Sequence, residues 1–467
     1  MVISIFKKNQ PATTLSARDL FSPLRLDLPV KYMFFRYLRD GVMSDTADKL
    51  YRQHIMARTG GQEPSDQDGT RRTAKQSMED YIKAAEVLYW SMCDYGYDSR
   101  FPAPFGGNGL LLNAAHRLGC AAALDLDVPF EENEEDGYPW DFKWFIENGF
   151  KRNQLSLILK EYALLTADRT AVFVLWGPAL RFWDELTAEI GKEFQIAGHL
   201  DFAFGLEESN GFKSLVYDVY AYNMDDHCDG MAHIDRKLGF LEEAPFFYRV
   251  VVASLSPADK GKMEKRSRSL KNRLRQSIAG HVDVNKFVSC HASETKGETR
   301  HMARTLLDPW NVAALRQRKS TKPRAEFLRW LSAFGRKLKS LQIDQEDCCI
   351  VGSSSLEVCG IRLSTDIDFT VRKQIREDLF DKKSRALGSQ IDVVMEGYHR
   401  PRSGKAYTDD QLIDDPSLHF LFRGFKFASL AIVHDRKSNS IRPKDMLDVE
   451  LMDQWREDHV TVPEDLT

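Results

Sequence analysis

Residues 348–371 read CCIVGSSSLEVCGIRLSTDIDFTV, and the reading of the C-terminal part of the chain turns on them. The apolar run CCIV has the length and composition of a short buried strand. Gly352-Ser353 ends it. A short helix follows, and Gly360 is a natural stop for that helix. A second strand then carries Asp366, Ile367, Asp368 and Phe369. Residues two apart on a strand share a face, so the two aspartates project together while Ile367 and Phe369 turn to the core. Adjacent carboxylates repel one another unless a cation sits between them. Mg²⁺, or Mn²⁺ in its place, prefers oxygen ligands and bridges carboxylates to phosphates. Gly352 lets the backbone approach a phosphate closely, and Ser353 adds a hydroxyl to the open N–H groups of a helix start. Residues 389–395 (SQIDVVM) read as a further strand with one acid, Asp392. A carboxylate on an apolar strand is costly unless paired or metal-bound. Placed beside the first pair, it makes a set suited to two-metal phosphoryl transfer, with Asp392 deprotonating the acceptor hydroxyl.

The order strand, Gly-Ser, helix, Asp-x-Asp, later strand Asp resembles the polymerase-β-type nucleotidyltransferase superfamily, over about residues 340–455. The resemblance implies a mixed sheet with flanking helices and a nucleoside triphosphate substrate. It implies Asp366, Asp368 and Asp392 as catalytic residues and metal ligands, and Gly352 and Ser353 as nucleotide-binding residues. Downstream, residues 417–430 (SLHFLFRGFKFASL) and 442–448 (RPKDMLD) resemble the helical tail of bacterial nucleotidyltransferase-like proteins. Lys426 and Lys444 are candidates to reach a phosphate, with a lysine on an amphipathic helix surface as the alternative. Asp445 and Asp448 lie three apart on one helical face and read as structural.

A second motif lies in residues 101–129, FPAPFGGNGLLLNAAHRLGCAAALDLDVP. A Gly turn and a short apolar strand at 110–112 lead to His116-Arg117 at the start of an Ala-rich helix. This is similar to the ParB/sulfiredoxin-like superfamily, with Asn113 or Ala114 where glycine is usual. The resemblance implies that His116 and Arg117 bind nucleotide phosphates at the helix start. Helix dipole and guanidinium add there in favour of an anion. The competing reading is a packed or capping His116.

At 467 residues the chain has room for about three domains. The expected architecture is a multidomain α/β (α+β) protein. Residues 1–140 form a ParB-like α/β domain with a lead-in, 141–324 a middle α/β domain, and 325–467 the nucleotidyltransferase-like domain with its helical tail. In the first block, Met78, Ile82, Ala85, Val87, Leu88 and Met92 form an apolar helical stripe. Val128-Pro129 closes that block, and an acid run follows. In the middle block, residues 170–176 (TAVFVLW) and 248–255 (YRVVVASL) are buried strands alternating with helices.

Charged residues make up 29% and hydrophobic residues 43%, a globular profile, and a net charge of −4 argues against a chain built to coat nucleic acid. Seven cysteines without a CxxC pair suit a reduced, cytoplasmic protein, and no apolar stretch is long enough for a membrane span. Two segments are locally basic. Residues 259–275 carry eight basic side chains against two acidic ones, a solvated helix face or a phosphate patch. Residues 316–324 (RQRKSTKPR) carry five basic side chains and no acid, and read as an exposed linker. Ser293, Thr295 and Lys296 read as a capped helix start that also has the makings of an anion site.

The expected activity is a nucleotidyl or phosphoryl transferase acting on a sugar, polyol or small-molecule phosphate. Its domain order resembles bacterial proteins of surface-polysaccharide synthesis. The alternative is a nucleotidyltransferase-like toxin or phage-defence enzyme acting on RNA or protein, with the basic segments facing RNA.

Overall fold

The computed structural model describes residues 13–62, 75–222, 228–241, 246–280, 288–381, 391–394 and 407–457. The chain is mixed α/β and divides into two compact units. One is 1–166 with 256–258, and the other is 167–255 with 259–467. No helix among the described residues is long and apolar enough to cross a membrane.

In the first unit, strands β1 (Thr13–Ser16), β2 (Ala103–Phe105) and β3 (Asp127–Glu132) form a small sheet. β3 lies in the centre, antiparallel to β1 and parallel to β2. Val128-Pro129 is therefore inside the central strand rather than at the close of a block. The segment 110–112 makes only one bridge, Leu111 to Phe105. The helix Met78–Tyr95 starts from a capping box between Ser77 and Asp80. Its buried face is Tyr81, Ala85, Tyr89 and Met92, spaced by four, four and three, whereas Val87 is 63% exposed. The helices Phe142–Glu147 and Arg152–Leu165 belong to this unit, so its border falls at Thr166 and not at 140. The sequence did not mark a buried charge group here. Asp27 is 0% exposed and takes hydrogen bonds at 2.8 Å from both Arg25 and Lys31. These cations outweigh the burial that opposes its charge, and its carboxyl lies well below the usual carboxylate range.

The second unit holds two sheets. The first contains β4 (Thr170–Trp176), β5 (Gln195–Ala203), β6 (Phe247–Ser254) and β7 (Cys290–Ala292) in the order β5-β6-β4-β7. Every pairing in it is antiparallel. Alternation of strands and helices does not by itself dictate parallel pairing: β5 runs in the same direction as β4, but β6 lies between them, so each strand is hydrogen-bonded only to antiparallel neighbours. β4 is buried at every position, in keeping with its unbroken apolar sequence.

The second sheet contains β8 (Cys348–Val351), β9 (Ile367–Val371), β10 (Ile391–Val393), β11 (His419–Phe422) and β12 (Phe425–Ala428). Its order is β10-β9-β8-β12-β11, mixed in direction. Residues 389–390 and 395 of the expected third strand lie outside the described residues.

The basic stretch 316–324 is not an exposed linker. Arg318 is 3% exposed, donates to the Leu421 carbonyl at 2.8 Å and to Ser214, and lies over the rings of Phe420 and Phe422. Arg316 pairs with Glu208, Lys322 with Asp235 and Arg324 with Glu357. The stretch thus ties the two sheets into one unit. Several cations of the basic helix Met263–Ser277 are likewise paired with acids. Arg268 meets Glu264 and Glu294 at 2.7 Å, Lys271 meets Glu294, and Arg273 meets Glu193. Thr295 caps the helix Lys296–Leu307 by accepting from the Glu298 N–H, and Ser293 is buried against the Val172 N–H.

Candidate active site

β8 ends at Val351, and Gly352 turns with φ +69° and ψ −140°, a conformation essentially restricted to glycine. The helix Ser353–Val358 begins there. Its small polar residues fix the loop that returns to β9. The Ser354 hydroxyl donates to the Asp366 carbonyl at 2.9 Å, and the Ser353 hydroxyl shares a hydrogen bond with Ser364 at 2.9 Å. Glu357, 3% exposed, accepts from the Ser364 N–H at 2.6 Å and from Arg324 at 3.0 Å. Asp366 is thereby set immediately before β9, with Asp368 two residues on.

The pairing registers bring the acids to one place. Asp368 lies opposite Val351 on antiparallel β8 and beside Asp392 on parallel β10. A Cβ on Gly352 would come within 3.1 Å of Asp368 Oδ2. The bare backbone and the carboxylate therefore face each other closely. Gly352, Ser353, Asp366 and Asp368 line a cavity of about 780 Å³. Asp392 stands at its flank, exposed on the edge strand. Burial raises the Asp368 carboxyl above its ordinary value, and the charges of Asp366 and Asp392 raise it further. Lys444 and Arg436 partly offset this.

The facing wall is cationic, with Arg362, Arg436, Lys437, Arg442 and Lys444. Most of it is held by two buried acids. Lys437 meets Asp445 at 2.6 Å and Asp448 at 2.8 Å, Arg362 donates to Asp448, and Arg442 meets Asp445 at 2.6 Å. Burial opposes charge on Asp445, but its three partners bring the carboxyl down to about 2. Lys444 makes no ion pair among the described residues and lines the cavity.

A half-buried carboxylate with two acid neighbours beside a glycine-bare turn fits a hard divalent cation. Mg²⁺ commonly takes one or two protein carboxylates and fills its shell with water and phosphate oxygens. Asp366 and Asp368 would hold it, with Asp392 alongside. Among the described residues no three His, Cys, Asp or Glu side chains form a ready metal cage. Asp392 lies in register beside Asp368 on the adjacent strand, outside the residues that line the cavity.

Three residues expected at a nucleotide lie elsewhere. Lys426 is 5% exposed on β12, donates to the Glu346 carbonyl at 2.6 Å and pairs with the Glu346 carboxylate at 3.4 Å. It lies at the opposite end of β8 from Gly352. In the first unit, His116 Nε2 shares a hydrogen bond with the Tyr51 hydroxyl at 2.8 Å, and enclosure holds the imidazole neutral. Arg117 donates to the Phe101 carbonyl and rests 5.9 Å from the Tyr97 ring centre. Both are half-buried, His116 against Tyr51 and Arg117 with one guanidinium nitrogen on a backbone carbonyl. The helix there, Ala115–Ala123, begins from Ala114 at φ +71°, where glycine would be unstrained.

The sequence reading missed Arg436 and Arg442 as wall residues. The run RPKDMLD signals Arg442 only when its acids are recognised as the buried anchors of a cationic wall, and Arg436 lies outside that run. No protein-family model, no curated protein and no solved structure matches the chain.

Proposed function

We propose that the chain is a metal-dependent nucleotidyl- or phosphoryl-transferase whose triphosphate substrate enters the cavity between Asp366/Asp368 and the Arg436–Lys444 wall. The observation that carries this is the meeting of a carboxylate pair, a positive-φ glycine turn and a cationic wall around one space. Each alone is ordinary. Together they match what phosphoryl transfer requires, which is positioning and charge neutralisation.

A bound divalent ion would screen the carboxylates from the phosphates and polarise the phosphoryl group. Gly352 and Ser353 orient the phosphate chain. Lys444 and Arg436 neutralise its outer oxygens. Asp392, exposed beside Asp368, takes the proton of the acceptor hydroxyl as its oxygen bonds to phosphorus and pyrophosphate or a nucleoside diphosphate leaves. A small hydroxylated acceptor, a sugar, polyol or small-molecule phosphate as in surface-polysaccharide synthesis, suits this site better than RNA. Most basic side chains of the segments that would serve RNA meet acids within the protein.

The test is binding of a fluorescent nucleoside triphosphate with Mn²⁺ by the full chain and by Asp366→Asn/Asp368→Asn. Retention of metal-dependent binding by the variant would overturn the reading.

A further inference from the structure

A second cleft, of about 720 Å³, lies in the same unit between the helix Lys296–Leu307, the helix Ala325–Ser340 and the β11–β12 turn. It shares no residue with the acidic cavity. Glu346 lines it just before β8, and Gly352 lines the other just after, so about 13 Å of strand separates them. The cleft is lined by five permanent cations and two carboxylates, an excess of three positive charges. Its Glu346 is already matched by Arg304 and Lys426. Asp344 accepts the Glu346 N–H at 3.0 Å. Arg300, Arg336 and Lys339 make no ion pair among the described residues, and Arg336 and Lys339 are exposed. Such a cluster, left uncompensated by the protein, attracts an anion.

Two further observations define the ligand. The β11–β12 turn is Arg423-Gly424, with φ +52° and +77°. Hairpin turns of this kind favour Asn-Gly, and an arginine held there is strained, which is typical of a residue kept for its side chain. His301 lines the cleft at 4% exposure, stacked on Tyr222 with ring centres 4.3 Å apart. Its Nε2 donates to the Asp218 carbonyl at 3.0 Å, so in the neutral ring Nδ1 is an acceptor, and Nδ1 has no partner. A buried acceptor without a donor is costly. A ligand hydroxyl supplies one.

We propose that this cleft binds a phosphomonoester bearing hydroxyl groups, a sugar phosphate or a mononucleotide, as an effector distinct from the substrate of the acidic cavity. Arg300, Arg336, Lys339 and Arg423 receive the phosphate, and His301 Nδ1 accepts from a hydroxyl. The proposal stands whether or not the acidic cavity binds a triphosphate.

The experiment is calorimetric titration of the full chain in EDTA with ribose 5-phosphate, AMP, inorganic phosphate, ribose and a short RNA. Ribose 5-phosphate or AMP should bind, and whichever is tighter identifies the source. Inorganic phosphate should bind more weakly and ribose not at all. Arg336→Glu/Lys339→Glu alters exposed positions, so the fold should persist by circular dichroism while affinity falls about tenfold or more. Asp366→Asn/Asp368→Asn should bind as the unaltered chain does. The proposal is overturned if neither phosphomonoester binds, if only RNA binds, or if inorganic phosphate binds as tightly as the esters. Unchanged affinity in the charge-reversed variant, or loss of affinity in the aspartate variant, would overturn it equally.

Discussion

Asp368→Asn should make the metal-free protein more stable and the metal- and nucleotide-loaded protein less so. Asp368 is half-buried, with Asp392 beside it in register and Asp366 two residues before it. Strand geometry puts these neighbours at about 5 and 7 Å between Cα atoms. Two like charges at that range, partly screened by solvent, repel by about 1 kcal/mol each. Removing the charge while keeping the shape should therefore stabilise the metal-free protein by about 1–2 kcal/mol, or roughly 2–5 °C in Tm. A ligand at about one hundred times its Kd stabilises by about 2.7 kcal/mol. With saturating Mg²⁺ and nucleoside triphosphate the unaltered chain should thus overtake the variant. Scanning fluorimetry in EDTA, and again with metal and nucleotide, reads both halves of this crossover. A variant that melts below the unaltered chain in EDTA, or gains as much as it does from the ligands, would refute the reasoning.

Gly352→Ala should cost about 1–3 kcal/mol, since φ +69° combined with ψ −140° is essentially restricted to glycine and an alanine Cβ would press on Asp368, and urea titration should show the loss. Asp448→Asn removes one partner from a buried ion network with Arg362 and Lys437, and a drop of about 3 kcal/mol in unfolding free energy is expected. Burial holds the His419 imidazole down to about 3, aided by Lys426 and Arg304 and opposed by its bond to the Leu412 carbonyl and by Glu346. The folded form then binds fewer protons than the unfolded one, so stability is complete above about pH 6.5 and falls by up to about 1.4 kcal/mol per pH unit below it. His419→Gln should flatten that slope by one proton in urea titrations between pH 7 and 5.

The core of the candidate site was legible because its signals are local. A glycine between an apolar strand and a helix, and acids two apart on the next strand, are visible within 24 residues of sequence. What pairs with what across distance was not. Lys426 reads as a surface cation until Glu346, 80 positions away, is seen beside it. The run 316–324 reads as a linker because its partners Glu208, Asp235 and Glu357 are scattered through the chain. The antiparallel middle sheet was hidden for the same reason, since burial of TAVFVLW and YRVVVASL fixes that they are strands and not their direction. His116 and Arg117 looked like an anion site because a motif shows residue types and not their hydrogen-bond partners. The partners here are Tyr51 and the Phe101 carbonyl.

The burial of Arg318 changes how this chain can be dissected. A gene fragment beginning at 325 encodes the whole five-stranded sheet, yet it lacks the guanidinium that covers Phe420 and Phe422 and satisfies the Leu421 carbonyl. Two aromatic rings would meet solvent, and an edge strand would lose its cover. Such a fragment would report on insolubility rather than on activity. The smallest piece that keeps the seam closed starts near 167. Any recombination that shuffled the fragment between genes would have to carry the antiparallel sheet with it.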